Sequence, residues 1–280
     1  MKKILALLLA AMMTLSLAAC GSDTGSTDED SVDTAGQDTA EPSADDDFAY
    51  IQGNGSMKIG FTYFEPMNYM DDNGEFVGFE TEFATAVCEK LGVEPEFVEI
   101  NWDSKVMELE SKNIDCIWNG MTITPELEEA LTISDPYIKN YQVVVIRADN
   151  ADTYTTTADL VGKTVEAEAG SAGETAISED AGLSQAEYIS KSVQTDCLME
   201  VAAGTADAAV LDLTLANAMI GEGTDYASLK IVDELNAEEY GVAFRKGSDA
   251  AAAVDAAFDE LKADGTMQAL ADKYDLALAD

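Results

Sequence analysis

One structural plan occurs twice in this chain, and it is the feature that most constrains the fold. Residues 108–120 (ELESKNIDCIWNG) and 200–212 (EVAAGTADAAVLD) each contain a helix end, a turn, an aspartate and a short apolar strand that runs into a polar position. Asp115 thus corresponds to Asp207, and Gly120 corresponds to Asp212. Strands that alternate with helices predict an α/β fold. The repeat predicts two α/β lobes of similar plan.

The hydrophobic pattern around the repeat supplies the other elements. In the first half it predicts strands over 57–61 and 96–100, a helix over 79–91 ended by Gly92, and a helix capped by Asp103 before the strand that ends at Trp118. In the second half it predicts strands over 164–167 and 207–211 and a helix over 195–203 ended by Gly204. Two helices finish the chain, one capped by Ser248 and one beginning at Gly265.

Two further apolar strands, over 141–146 and 240–244, are predicted to cross between the lobes. With both crossings, lobe 1 comprises residues 51–140 and 241–280, and lobe 2 comprises residues 141–240. A hinge of two strands allows the lobes to close on a ligand. Because open α/β sheets bind ligands at the carboxyl ends of their strands, we expect the cleft between the lobes to be the ligand site.

The amino end is predicted to be a leader and a tether. Lys2-Lys3, the apolar residues 4–17 and Leu17-Ala18-Ala19-Cys20 resemble a bacterial lipoprotein signal over residues 1–20, with Cys20 lipidated. The apolar stretch is too short to span a bilayer. We therefore expect a lipid anchor on the outer face of the bacterial cytoplasmic membrane, at the cell surface. Residues 21–50 are acidic with no basic residue and predict a disordered tether.

Charge and composition exclude several functions. Without Lys2 and Lys3, 13 basic residues face 55 acidic ones, so the mature chain would carry −42 rather than −40. Such a surface repels nucleic acid. The chain has no histidine, and Cys88, Cys116 and Cys197 lack metal-binding spacing, so we expect buried thiols, no metal and no cofactor.

Four stretches of the folded region carry a family resemblance. Residues 57–92 (MKIGFTYFEP…CEKLG), 113–126 (NIDCIWNGMTITPE), 134–145 (SDPYIKNYQVVV) and 243–274 (AFRKGSD…LADKY) resemble the extracellular solute-binding proteins of bacterial ABC importers, in the polar amino-acid class, family 3. The resemblance runs from about residue 57 to 276, in order and spacing. It implies a two-lobed periplasmic-binding-protein-like fold that closes on an amino acid or related solute and delivers it to a membrane permease. We expect the chain to be a monomer.

The resemblance also implies the ligand-binding residues. An aromatic residue after the first strand packs on the ligand, with core packing as the alternative role, and a strand-end lip and a Gly-Ser turn supply backbone groups and hydroxyls. A carboxylate pairs with the ligand's α-ammonium, although a lone aspartate at a strand end is often a helix cap. The implied residues are Phe64 with Tyr63 beside it, Trp118, Asn119, Gly120, Met121, Thr122, Ser171, Ala172 and Asp212.

One position departs from the family pattern. Where the resembling proteins place an arginine that grips the ligand carboxylate, this chain has Leu127. Arg147 and Arg245 lie at the outer ends of the crossing strands, and Lys105 is the nearest other cation, with a solvated helix face as its favoured alternative. Glu65 and Glu168 could join Asp212 in an acidic cleft suited to a cationic ligand.

Two alternatives to a binding protein stay open at this point. The same fold resembles that of certain dehydratases, which would need carboxylates alone for acid–base chemistry here because histidine is absent. A sensor ectodomain is disfavoured because no transmembrane or signalling segment follows the folded region. The leading interpretation remains a non-enzymatic substrate-binding lipoprotein of an importer.

Overall fold

A computed structural model describes residues 46–280, so the predicted signal peptide, the lipidation site at Cys20 and most of the predicted tether lie outside the described residues. The described chain is α/β and has two lobes, each built on a five-stranded sheet, as predicted. Within residues 46–280, every helix is too short or too polar to cross a membrane.

Lobe 1 receives the first part of the chain. Its elements are α1 (Asp47–Asn54), β1 (Ser56–Phe61), β2 (Tyr69–Met70), β3 (Phe76–Val77), α2 (Phe79–Leu91), β4 (Glu94–Glu99), α3 (Lys105–Glu110), β5 (Cys116–Ile117), α4 (Pro125–Ala130) and β6 (Thr132–Ile133).

Lobe 2 follows, and the chain then returns to lobe 1. Lobe 2 contains β7 (Ile138–Arg147), β8 (Thr164–Glu168), α5 (Ala172–Glu179), β9 (Glu187–Lys191), α6 (Gln194–Ala203), β10 (Ala208–Asp212), α7 (Leu213–Met219) and β11 (Leu229–Tyr240). The returning segment contains β12 (Ala243–Phe244), α8 (Ala250–Asp264) and α9 (Thr266–Lys273).

The two sheets place their parallel strands at the cleft. In lobe 1 the order is β4-β1-β5-β12-β6, with β1 parallel to β4 and to β5. In lobe 2 the order is β11-β7-β10-β8-β9, with β8 parallel to β9 and to β10 and with β7 and β11 antiparallel. The chain passes from one sheet to the other between β6 and β7 and returns between β11 and β12. The carboxyl ends of β5, β8 and β10 therefore meet near the crossings.

The sequence repeat corresponds to a repeated hydrogen-bond arrangement. Asp115 precedes β5, and its Oδ2 accepts a hydrogen bond of 2.9 Å from the backbone N–H of Lys58 in β1. Asp207 precedes β10, and its Oδ2 accepts one of 3.1 Å from the N–H of Thr164 in β8. Each aspartate also donates its own N–H to the carbonyl of the same partner. The two aspartates fix the register of equivalent strands in the two lobes.

Two sequence predictions in lobe 1 are wrong. The tether was predicted to reach residue 50, but α1 begins at Asp47, whose buried carboxylate pairs with Arg245 at 2.9 Å. The helix predicted to be capped by Asp103 is instead preceded by a short 3₁₀ turn, whose cap is the side chain of Asn101 accepting from the N–H of Asp103. Both helix starts depend on partners that the local pattern did not reveal.

The core of lobe 1 is aromatic and is completed by the returning segment. The ring of Phe83 on α2 lies 4.8 Å from that of Phe258 on α8 and 5.6 Å from that of Trp118, measured between ring centroids. Tyr137 packs against all three rings. The helices α8 and α9 therefore belong to lobe 1. The cysteines of the described chain, Cys88, Cys116 and Cys197, are buried free thiols.

Candidate ligand-binding site

A cavity of about 300 Å³ lies between the two lobes. Lobe 1 contributes residues after β1, around α3 and after β5, and lobe 2 contributes residues at the ends of β8 and β10 and at the starts of α5 and α6. The lining residues are Phe64, Trp102, Lys105, Asn119, Gly120, Met121, Thr122, Thr124, Glu126, Leu127, Glu168, Gly170, Ser171, Ala172, Thr175, Glu179, Gln194 and Asp212.

Eleven of the fourteen candidate residues line this cavity, and three do not. Trp118 is completely buried in the lobe 1 core, because consecutive side chains of an extended strand point to opposite sides and Asn119 faces the cavity. Tyr63 lies beside Phe64 but points away, into edge contact with Phe61 and Phe76. Glu65 also lies outside the cavity; its pKa is raised by burial and by Asp225 and Asp72.

The lip formed by residues 119–122 has a fixed shape. Gly120 has φ +54°, and a Cβ on it would lie 2.4 Å from Cε1 of the Phe64 ring, so glycine is required by both backbone and packing. The N–H of Gly120 donates a 2.8 Å hydrogen bond to Oε1 of Glu80, which also accepts from the Tyr137 hydroxyl. Burial raises the pKa of Glu80 to about 7. A buried carboxyl group thus holds the lip from behind.

The side chain of Asn119 is also engaged with lobe 1. Its Oδ1 accepts from the N–H of Thr62 at 3.1 Å and from the Thr62 hydroxyl at 2.8 Å, and its Nδ2 donates to the Thr62 carbonyl at 2.9 Å. These bonds tie the end of β5 to the end of β1. Asn119 therefore shapes the lip, while Thr122 offers the cavity a hydroxyl.

Asp212 is the buried carboxylate at the end of β10. Its Oδ1 accepts hydrogen bonds from Asn140 Nδ2 at 2.5 Å, from Gln142 Nε2 at 2.9 Å and from the Tyr240 hydroxyl at 2.8 Å. Its Oδ2 accepts from Gln194 Nε2, while its backbone N–H donates to Gln194 Oε1. Burial raises the pKa of Asp212. A carboxylate has about four acceptor positions, two on each oxygen, so Oδ2 keeps capacity for another donor.

A second carboxyl group, that of Glu238, shares the donors of Asp212. Its Oε1 accepts from Asn140 Nδ2 at 2.6 Å and from Gln142 Nε2 at 2.9 Å. Burial and the neighbouring Asp212 raise the pKa of Glu238 to about 8. Because Glu238 lies in β11 and Asn140 in β7, the strands that lead to the two crossings also hold Asp212 in place.

Lys105 and Glu168 are the other buried charged groups of the cavity. Lys105 is 8% exposed, and its Nζ donates to the Gly170 carbonyl at 2.7 Å and to the Trp102 carbonyl at 3.3 Å. The solvated helix face favoured for Lys105 from sequence is therefore wrong, because the opposite lobe covers it. Burial lowers the pKa of Lys105, whereas burial and the nearby Asp212 raise the pKa of Glu168 to about 8.

The turn before α5 begins the helix with a pair of side-chain caps. The hydroxyl of Ser171 accepts from the N–H of Glu174 at 3.2 Å, and Oε2 of Glu174 accepts from the N–H of Gly170 at 2.6 Å. The N–H groups of Ala172 and Gly173 open the helix and have no intrahelical acceptor. This helix start presents its positive dipole end to the cavity.

Leu127 lines the cavity at the start of α4, and it brings no charge there. Arg147 and Arg245 are not among the lining residues. Arg245 is buried in lobe 1, bound to Asp47 and to the carbonyls of Leu109 and Ile114. Among the lining residues, four are acidic and Lys105 is basic. The site therefore favours a ligand with net positive charge over one with net negative charge.

Sequence reasoning missed seven residues of the lining. Five of them lie within three positions of a predicted site residue, and Trp102 is one of these, three positions before Lys105. Gln194 had no sequence signal as a partner of Asp212, because the two are joined only by the packing of α6 on the sheet. The missed residues are Trp102, Thr124, Glu126, Gly170, Thr175, Glu179 and Gln194.

Two lobes that enclose a polar cavity at their strand ends define a ligand-capturing protein rather than a surface-binding module. The model of the family "Bacterial extracellular solute-binding proteins, family 3" matches residues 57–277. The chain belongs to this family. The resemblance of its sequence motifs is therefore confirmed over nearly the whole described region.

The chain is similar to named proteins in sequence and in structure. The L-cystine-binding protein TcyJ of Escherichia coli (strain K12) is 31% identical over 229 residues, which cover 80% of this chain and 84% of that protein. A crystal structure of the P235GK mutant of the T. maritima arginine-binding protein matches with a TM-score of 0.75 at 33% identity, covering 81% of this chain and 98% of that one. The ancestral amino acid-binding protein AncCDT-1, a precursor of cyclohexadienyl dehydratase, matches with a TM-score of 0.74 at 31% identity, over 81% and 98% of the two chains. All three relatives are named as binding proteins.

Proposed function

We propose that this chain is the substrate-binding lipoprotein of an ABC importer, which captures an amino acid or amino-acid-like solute between its lobes and delivers it to a membrane permease. The observation that carries the proposal is the position of Asp212: a carboxylate buried in a cavity that both lobes line, held by four side chains and able to accept one more donor. The family membership and the named amino-acid-binding relatives support it.

The binding mode follows from the lining. The ligand's α-ammonium donates to Asp212, and its carbon skeleton packs against the ring of Phe64 and the indole of Trp102. The N–H groups at the start of α5 donate to the ligand's polar end, and the hydroxyls of Thr122 and Ser171 donate to it or accept from it. Burying an ammonium beside a carboxylate in this enclosed cavity gives a charge-assisted hydrogen bond.

The membrane placement rests on the amino-terminal motif. Cys20, preceded by Leu17-Ala18-Ala19, becomes the lipidated first residue, and residues 21–46 link the anchor to the folded lobes. Expression of the full chain with a labelled fatty acid tests this step. Label should enter the wild-type protein and not the Cys20→Ala variant, and label that persists in the variant rules out Cys20 as the anchor.

Native mass spectrometry and thermal denaturation test ligand capture. A retained solute, or a rise in melting temperature with an amino acid, is the expected result, since a ligand at 100 times its Kd stabilises by about 2.7 kcal/mol. Asp212→Asn should abolish that rise, whereas Asp149→Asn, at an exposed acid outside the cavity, should leave it intact. An unchanged shift in the Asp212 variant would refute the ammonium assignment.

An enzyme on the same fold is the second candidate, because one structural relative is a precursor of a dehydratase. Glu168, which lines the cavity and whose pKa is raised to about 8, is the carboxyl group suited to act as an acid near neutral pH. Incubation of the captured solute with protein, followed by mass spectrometry of the solute, separates the two functions. A binding protein would leave the solute unchanged. Conversion of more solute molecules than there are protein molecules would establish an enzyme.

A further inference from the structure

Glu168 and Asp212 are neighbouring carboxyl groups at one edge of the lobe 2 sheet. Glu168 is the last residue of β8 and Asp212 the last of β10, and these strands pair in parallel, so both side chains emerge where the strands end. Both line the cavity, and each is 4% exposed. Lobe 2 therefore presents two buried acids to the ligand, of which the family resemblance accounts for one.

The bonding of Glu168 is incomplete within the described part of the protein. Its Oε1 is buried without a hydrogen-bond partner there. A buried polar oxygen left unpaired is unfavourable, and more so when it is charged. Asp212, by contrast, has four side-chain donors. The two acids thus differ in what they can accept from a ligand.

Lys105 does not satisfy this oxygen. Its ammonium group donates to the carbonyls of Gly170 and Trp102, at 2.7 and 3.3 Å, and lies 4.8 Å from the centroid of the Trp102 ring. Lys105 and Glu168 are close enough to interact through their charges, but no hydrogen bond joins them in the described structure. Glu168 lines the cavity, so a bound ligand can supply the donor that this oxygen lacks.

We propose that Glu168 binds a second cationic nitrogen of the ligand, so that the substrate class is a diamino compound rather than an amino acid with a neutral side chain. This inference rests on the proposed function, because it assigns the first ammonium to Asp212. The lining supports it, since Glu126 and Glu179 at the mouth add negative charge and Leu127 adds none. A ligand with two cationic nitrogens can donate to both buried acids, whereas a ligand with one leaves Oε1 of Glu168 without a donor.

Ligand binding should then release a proton near neutral pH. The groups that face Glu168 are Asp212 on β10, Lys105 on α3, and Gln194 and Asp196 on α6. Burial, Asp212 and Asp196 raise the pKa of Glu168, and Lys105 and Gln194 lower it. The pKa is about 8, so at pH 7 the free protein carries Glu168 mainly protonated. An adjacent ligand cation favours the carboxylate. Affinity for a diamino ligand should therefore rise by up to about tenfold per pH unit below pH 8 and level off above it.

Isothermal titration calorimetry with matched amino acids tests the proposal. L-lysine and L-norleucine form one pair, and L-ornithine and L-norvaline another, each differing by one side-chain ammonium. The wild-type protein should bind at least one diamino member about 10- to 100-fold more tightly than its neutral partner, as expected for one charge-assisted hydrogen bond. Titrations at pH 7 in phosphate and in Tris should differ in heat because a proton is released.

Two variants decide the role of Glu168. Glu168→Gln should remove both the diamino preference and the proton release. Glu166→Gln, on the same strand but outside the cavity, should keep both properties. Melting temperatures without ligand confirm that each variant is folded.

The outcomes separate this inference from the proposed function. Neutral amino acids that bind as tightly as diamino ones, or a preference that survives Glu168→Gln, would overturn the role of Glu168 and leave the proposed function standing. A folded wild-type protein that binds no amino acid of either kind would overturn both.

Discussion

Substitution of Gly120 by alanine tests whether the shape of the binding lip is set by its contact with Phe64. The added methyl group would occupy a position 2.4 Å from Cε1 and 3.1 Å from Cδ1 of the ring. Phe64 is 4% exposed. The lip is held by the backbone N–H of Gly120, which donates to Glu80, and by the side-chain amide of Asn119, which donates to the Thr62 carbonyl. Neither the ring nor the backbone can move without breaking packing or hydrogen bonds.

The expected loss has two parts. At φ +54° an L-residue is disfavoured by about 1–2 kcal/mol relative to glycine. Overpacking against a buried ring adds about 1–3 kcal/mol. Gly120→Ala should therefore lower the free energy of unfolding by about 2–5 kcal/mol, and it should weaken ligand binding because the ring that faces the cavity is displaced.

Urea denaturation of four proteins separates the two parts: wild type, Gly120→Ala, Phe64→Leu and the double variant. Because the overpacking part requires the ring, the double variant should be more stable than the sum of the single losses predicts, by about 1–2 kcal/mol. The loss caused by the positive φ at residue 120 should be the same whether residue 64 is phenylalanine or leucine. A loss below about 0.5 kcal/mol for Gly120→Ala, or strictly additive losses, would refute the account of the lip.

Three other predictions concern the buried groups Arg245 and Glu80 and the position of Leu127, where the resembling proteins place an arginine that binds the ligand carboxylate. Arg245→Met leaves the buried Asp47 unpaired and should lower the free energy of unfolding by about 3–5 kcal/mol in urea, so an unchanged midpoint would contradict a structural role for α1. The pKa of Glu80 is about 7 in the folded state and near the ordinary 4.5 of a glutamate in the unfolded state, so Glu80 binds its proton more tightly when folded. Its contribution therefore makes stability fall as pH rises from about 4.5 to 7, by on the order of 3 kcal/mol. Glu80→Gln should remove that decline, and parallel stability curves for the two proteins would contradict it. Leu127→Arg should improve binding of L-lysine relative to 1,5-diaminopentane by about 10- to 100-fold, because the guanidinium can bind the carboxylate of lysine and the diamine has none. The ratio of the two affinities is measured by calorimetry. An unchanged ratio would contradict the placement of the ligand carboxylate near residue 127.

The sequence predicted best those site residues that lie at strand ends. Asp212 and the lip from Asn119 to Thr122 follow apolar strands directly, and the chain direction brings parallel strand ends to one edge of a sheet. Their position directly after an apolar strand in the sequence is enough to place them at the edge of the sheet. The same reasoning failed for Trp118, because a shift of one residue along a strand reverses the side that a side chain faces.

Residues whose surroundings come from distant parts of the chain were beyond this reasoning. Lys105 looks like an exposed helix residue until the carbonyl of Gly170, 65 positions later, covers it. Asp47 looks like the end of an acidic tether until Arg245, 198 positions later, pairs with it. In both cases the sequence shows a charged residue in a polar setting, and only the folded arrangement of the lobes changes its environment.

The charges in the cavity also bear on how the lobes close. The bond from Lys105 to Gly170 joins lobe 1 to lobe 2, so it favours closure whether or not a ligand is present. Glu168 and Asp212 lie together in lobe 2, and burial raises the pKa of each. A ligand shifts closure only by the difference in its affinity for the two states. A ligand with two cationic nitrogens gains most from the closed state, because there it pairs both acids in a desolvated cavity. Selectivity for such a ligand would therefore come from the energetics of closure and not from the number of contacts alone.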